Sequence, residues 1–283
     1  MISHPPGEGG HQSLMSDSRT LPDLKLDHAV MDAQEAPPDS IDCPVDESLL
    51  DNPVWNALLT DHRSLAIGDG EARRYASEIG PLSGMSRQSS TGYRSLRNLT
   101  GPGGALGLFF QEPPSPPEGW ALVRGGVLHQ MIWRGLNAGE IKHPKPEATL
   151  RRLSAADVPE MLVLAELTEP GPFRNRTIEL GHYYGIFESG ILVAMAGERM
   201  SLPGFTEVSA VCTHPDARGR GYARTLMLRV MRHIRRRGRT PFLHVLADNH
   251  SAIHLYESLG FTVRRSFHLA VLKKDGRTPN GMP

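Results

Sequence analysis

The chain has 283 residues, 31 basic and 31 acidic side chains, and 39% apolar residues. At roughly 100–200 residues per domain, that length suits one large domain or two small ones. No run approaches the roughly 18 apolar residues of a membrane helix, and residues 1–19 lack the apolar stretch of a signal peptide. The two cysteines, Cys43 and Cys212, exclude a disulfide framework and a cysteine-rich zinc site. A reducing cytoplasm fits, and no metal is expected.

The balanced charge is an average over opposite segments. Residues 1–47 hold ten acids against Arg19 and Lys25, a net of −8. Residues 214–240 hold nine arginines against Asp216, a net of +8. The acidic segment is rich in Pro, Gly and Ser and carries no aromatic residue. It cannot bury enough surface to offset its ordering entropy, so a disordered tail is expected.

Residues 48–141 carry weaker signals. Asn52-Pro53 opens a predicted helix to Leu59, with Asn52 as its cap. Leu65–Ile67 reads as a strand, Tyr93–Leu99 as a helix, and Leu106–Phe110 and Val127–Trp133 as buried strands. No catalytic signature stands out here, and His62 and His129 read as packing or surface residues. The segment is treated as an α/β subdomain of unknown role, with a degenerate copy of the following fold as one reading. Residues 142–147, KHPKPE, form a linker-like boundary.

The pattern sharpens over 148–274. A short strand, Ala148–Leu153, precedes a helix capped by Ser154, with Asp157 in its first turn. Glu169-Pro-Gly-Pro172 ends that helix. Tyr183–Phe187, Ile191–Met200 and Glu207–Thr213 read as a meander. A helix over Gly221–Arg237 follows, with Leu226, Met227, Val230, Met231 and Ile234 on one stripe. Phe242–Leu246, Asn249–Leu259 and Phe261–Leu272 complete a β-α-β-β-β-α-β-α-β order, leaving a tail over 275–283. The strand–helix–strand unit in its middle should cross over right-handed.

The chemistry concentrates where the third strand of the meander meets the crossover helix. Arg218-Gly-Arg-Gly-Tyr-Ala223 places small residues where the helix begins. Unpaired N–H groups and the helix dipole there suit a phosphate or pyrophosphate, and Arg218, Arg220 and Arg224 add full charges. A Walker lysine pattern is absent, and Arg224 stands where a dinucleotide fingerprint would have its third glycine.

Arg218-x-x-Gly221-x-Ala223 resembles the acyl-CoA motif of the GCN5-related N-acetyltransferase (GNAT) superfamily. Val211-Cys-Thr-His-Pro215 before it and Ser251-Ala-Ile-His-Leu-Tyr-Glu-Ser-Leu-Gly-Phe261 after it match further family features, and the C-terminal part is similar to the FR47-like branch. The resemblance covers about Ala148–Lys274. It implies an α+β fold: a twisted mixed sheet flanked by helices, with a bulged, splayed acyl-CoA cleft.

The resemblance also implies roles. Acetyl-CoA is the co-substrate and a primary amine the acceptor. The backbone of Val211, Cys212 and Thr213 would pair with pantetheine. Arg218, Gly219, Arg220, Gly221, Tyr222, Ala223 and Arg224 would hold the phosphates. Asn249 and Ala252 would meet the CoA arm. Tyr256 is the implied general acid and Glu207 the general base, with Glu198 its competitor. Glu166–Arg176 and His182–Tyr184 would shape acceptor choice. The side chain of Cys212 alternates away from Val211 and Thr213 and reads as a core residue. Arg229 is a second candidate for the CoA 3′-phosphate, while Arg235, Arg236, Arg237 and Arg239 are left without a role. A non-catalytic acyl-CoA sensor is the alternative. The basic helix spends an apolar stripe on the core and carries no recognition motif, so nucleic acid is not expected, nor a membrane; monomer and homodimer both remain open.

Overall fold

A computed structural model describes residues 46–68, 70–135 and 148–275. Asp46 accepts the Ser48 N–H and starts a 3-10 turn over Glu47–Asp51. Helix α1 (Pro53–Leu59) follows, with proline in its first turn. Asn52 does not cap it with its side chain, contrary to expectation; its amide instead donates to the Met85 carbonyl at 2.7 Å. A small antiparallel sheet comes next: β1 (Ala66–Ile67), β2 (Ala72–Tyr75) and β3 (Ser83–Met85). Helix α2 (Ser90–Leu99) is capped by the Ser89 hydroxyl, which accepts the Gly92 N–H.

The remaining strands form one eight-stranded sheet. They are β4 (Ala105–Phe110), β5 (Trp120–Trp133), β6 (Ala148–Arg152), β7 (Tyr183–Glu188), β8 (Ile191–Leu202), β9 (Phe205–Thr213), β10 (Thr240–Leu246) and β11 (Phe261–Lys274). Helix α3 (Val158–Thr168) links β6 to β7, α4 (Tyr222–Arg236) links β9 to β10, and α5 (His250–Ser258) links β10 to β11. The spatial order is β4-β11-β5-β10-β9-β8-β7-β6, and β9 and β10 are parallel. This is the mixed sheet flanked by helices that the sequence implied.

The boundary expected over 142–147 lies outside the described residues, and the sheet does not divide there. β5, from the N-terminal half, inserts antiparallel between β10 and β11, and β4 edges the sheet beyond β11. Leu50 of the 3-10 turn and Val54 and Leu58 of α1 pack against Met200, Leu202, Phe205 and Phe242 of the C-terminal half. All described residues belong to one unit. The N-terminal half therefore completes the sheet, where a separate subdomain was expected. The acidic tail (1–47) falls outside the description except for Asp46 and Glu47, as does 276–283.

The other face of the sheet is covered by α4 and α5. Leu226, Met227, Val230, Met231 and Ile234 of α4 are all buried against β-strand residues such as Ile186, Ala194 and Leu243, as the stripe required. At the start of the first helical turn after β6, Ser154 and Asp157 form a capping box. Arg151 grips the same carboxylate and, as the largest influence, helps hold it down to about 2.

Candidate active site

β9 and β10 are paired only over Phe205–Glu207 and Thr240–Phe242. Beyond that last rung, β9 continues to Thr213 and β10 to Leu246 without pairing to each other. A gap opens between two parallel strands whose facing backbone groups have no ladder partners. β9 is also bulged against β8. Met195 pairs with Cys212 and Gly197 with Ser209, so two residues, Ala210 and Val211, oppose Ala196 alone. Ala210 sits at φ 52, the left-handed strain such bulges carry.

The bulge corrects one expectation. Strict alternation along β9 would put Glu207, Ser209, Val211 and Thr213 on one face, but the extra residue shifts it. Val208 and Val211 both pack toward α4 and α5, whereas Ala210 and Cys212 pack toward α3. Cys212 is buried, and burial pushes its thiol up to about 11. Its side chain is a core group, as expected, so only its backbone lies along the gap. The Thr213 hydroxyl is buried at the strand's open end with no hydrogen-bond partner. A buried orphan of this kind suits a ligand that supplies the missing bond.

The arginine–glycine turn lies at the mouth of this gap. Arg218, Gly219, Arg220 and Gly221 are exposed. Gly219 and Gly221 hold φ 76 and 79, and open space surrounds the position a Cβ would take at each. A side chain would strain both positions and crowd a phosphate lying on the turn. Gly221 is the N-cap of α4 and has no side chain with which to cap the first turn. Its N–H groups thus remain available to an anion. Arg220 is already engaged: it binds Glu188 at 2.6 Å and donates to the Asp216 carbonyl at 2.8 Å. Tyr222 is buried, and its hydroxyl also donates to Glu188. These two brace the turn from below. Arg224 is exposed and donates to Ser258 Oγ at 3.0 Å. Arg229, expected near the 3′-phosphate, lies over the ring of Tyr184 at 5.2 Å instead.

Across the gap, Asn249 caps α5 by accepting the Ala252 N–H at 3.1 Å. That bond fixes the helix carrying Tyr256. Tyr256 is mostly buried in the α4/α5 core, packed edge-on to Phe261 at 6.2 Å, and burial pushes its phenol up to about 12. It is a neutral hydroxyl at pH 7.

Glu207 is not placed as a free base. It sits on the last paired rung, fully buried at 0% exposure. Arg199 grips it through Nε at 2.7 Å and Nη2 at 2.6 Å, and His244 Nδ1 donates to it at 2.7 Å. Burial alone would raise its pKa, but the charge of Arg199, then the hydrogen bonds of Arg199 and His244, bring it to about 2. A carboxylate held that low has little drive to take a proton from an ammonium group. The Gln130 amide donates to His244 Nε2 at 3.2 Å and to the Leu50 carbonyl at 2.9 Å, and its oxygen accepts from Arg264. One buried polar chain thus crosses β8, β9, β10, β5 and β11 at the vertex of the gap. Glu198, the competing base, is 1% exposed and paired with Arg237 at 2.5 Å.

Arg199, His244 and Gln130 were not singled out from the sequence. The signal was Glu198-Arg199 inside the apolar run ILVAMAGERMSL, since charges in a buried strand require partners. The expected acceptor loop is tied to the N-terminal half. Arg176 N–H donates to the Glu78 carbonyl at 2.9 Å, and Thr177 Oγ1 to the Ile79 carbonyl at 2.7 Å. Glu166 and Glu169 are exposed on it. His182 turns its ring onto His233 of α4.

Comparisons with known proteins place the chain in a family. The family model described as FR47-like protein matches residues 183–269. A crystal structure of an acetyltransferase from the GNAT family, from Novosphingobium aromaticivorans, is 40% identical, covering 80% of this chain and 98% of that one, with a TM-score of 0.73. The [ribosomal protein bS18]-alanine N-acetyltransferase of Escherichia coli is 30% identical over 129 residues, 42% of this chain and 86% of that protein. The mycothiol acetyltransferase of Rhodococcus jostii is 45% identical over 60 residues, so the chain spans about a fifth of its length. The chain belongs to the GNAT family of acetyltransferases. Among the described residues, no helix is long and apolar enough to cross a membrane.

Proposed function

We propose that the protein moves an acetyl group directly from acetyl-CoA to a primary amine, on a small molecule, an amino acid or a peptide. The observation that carries this reading is the parting of β9 and β10 directly beside the exposed Arg218–Ala223 turn. Pantetheine would lie in the gap along Val211–Thr213, and the pyrophosphate on the first N–H groups of α4. Arg218 and Arg224 supply positive charge.

The amine attacks in its neutral form, having given its proton to water. Its nitrogen bonds to the thioester carbon, the C–S bond breaks, and the nitrogen gives its second proton to water. The departing thiolate is the conjugate base of a thiol with a pKa of roughly 8.5. A phenol near 12 gives up a proton to it only against about 5 kcal/mol at those values. Tyr256 therefore acts first as a hydrogen-bond donor that stabilises the thiolate, with full transfer following as the buried sulfur becomes more basic. Glu207 has a positioning role: with Arg199 and His244 it fixes the rung where the strands part.

Similarity to a protein named for N-acetylation of an alanine supports a nitrogen acceptor. The test is CoA release across amino acids, peptides, polyamines and aminoglycosides. Release with one acceptor class is expected. Tight acetyl-CoA binding with no release for any of them would replace this reading with an acyl-CoA sensor.

A further inference from the structure

On the α4 face, away from the arginine–glycine turn, three metal-ligating side chains converge. His182 precedes β7, Glu198 lies in β8 and His233 lies in α4, and one ligand atom from each falls within 4.8 Å of the others. We propose that these three form a binding site for a divalent transition-metal ion of the zinc class.

Two independent features support it. His182 Nδ1 and His233 Nε2 are both buried and neither makes a hydrogen bond. Buried ring nitrogens in a folded core ordinarily find a partner. Here the two rings lie 4.2 Å apart, and His182 Nδ1 faces Glu198 Oε2 at 3.6 Å. Second, the carboxylate is held in place for such a role. Arg237 donates to its Oε1 at 2.5 Å, while the backbone N–H of His182 points at Oε2 from 3.3 Å. A Cβ on Gly181 would come within 2.7 Å of that oxygen, so glycine leaves room for it.

Two imidazole nitrogens and one carboxylate oxygen suit Zn²⁺, Co²⁺ or Ni²⁺, whereas Mg²⁺ and Ca²⁺ prefer all-oxygen sets. Zinc bonds of about 2 Å require the three donors to draw together. His182, at the junction of a loop and a strand, has the freedom to do so. Arg237 becomes the outer partner that orients the carboxylate, a usual arrangement around ligating groups. The charges of Arg152, Arg229 and Arg237 nearby oppose a cation and limit its affinity. Three protein ligands leave a fourth position for water. The ion would tie the start of β7, the middle of β8 and the last turns of α4 together.

The test uses the full chain stripped with a chelator. Zn²⁺ is titrated calorimetrically, and Co²⁺ is followed by its visible absorption. One equivalent of either metal should bind and raise the melting temperature. His233→Gln and His182→Gln should each weaken binding at least about 10-fold while keeping the far-UV spectrum and acetyl-CoA affinity. Failure of both metals to bind would overturn the proposal. So would binding that persists in the double variant, since other histidines would then be responsible.

Discussion

The two ends of α4 are both rich in arginine and are built for opposite purposes. At its start, Arg218 and Arg224 stand exposed around a turn with uncapped N–H groups. At its end the charges are spent within the fold. Arg235 lies 4.3 Å over the ring of Trp133, Arg237 holds buried Glu198, and Arg239 pairs with Asp61. A cluster of basic residues in a sequence therefore marks a ligand only where the fold withholds carboxylates and rings from it. Arg235, Arg237 and Arg239, which lacked a role in the sequence, thus each have a partner among the described residues.

The contrast breaks most severely at Arg237. Arg237→Ala leaves a buried carboxylate without its ion pair and should cost about 3 kcal/mol or more in urea unfolding, with acetyl-CoA affinity unchanged. Acid probes the neighbouring pair. The folded pKa of Glu207, about 2, lies below its unfolded value of 4.5, so its stabilisation is present above that unfolded value. It is lost as pH falls from 4.5 toward 2, roughly 3 kcal/mol in all. The urea midpoint should drop over that window, and Glu207→Gln should flatten the drop.

At the reactive end, Tyr256→Phe should lower turnover ~10²-fold with the KM for acetyl-CoA nearly constant. Undiminished turnover would remove Tyr256 from the chemistry. Gly221→Ala forces a side chain into left-handed backbone, costing about 1–2 kcal/mol. Acetyl-CoA affinity should fall about as much, read by calorimetry. Arg235→Ala is the mildest change, about 0.5–1 kcal/mol of stability, visible in the melting temperature and absent from cofactor binding.

Local features were the most legible in the sequence. The turn at Arg218–Ala223, the stripe on α4 and the Ser154 cap are each written within a few residues, and the structure has each of them. What depended on register was hidden. The partnership of Arg199 with Glu207 requires knowing that β8 and β9 are shifted between Glu198 and Ser201, which no local pattern states. The bulge at Ala210 carries no glycine to announce it. β2 and β3 are too short and polar to read, and the start of β5, with Arg124, Gly125 and Gly126, breaks strand alternation. The role of β5 was the largest omission, because its partners lie over a hundred residues ahead.

That insertion has a consequence for the order in which the molecule assembles. β5 leaves the ribosome well before β10 and β11 exist, and its hydrogen-bonding edges must wait for them. A chain starting at residue 148 would bring β10 and β11 together with no strand to separate them. The final closure of the sheet is thus a long-range, late event, and folding should be slow for that reason. All three tryptophans, Trp55, Trp120 and Trp133, lie in the N-terminal half, whereas α4 and α5 lie in the C-terminal half. Tryptophan fluorescence and helical circular dichroism should therefore change at the same denaturant concentration, the two halves being lost as one.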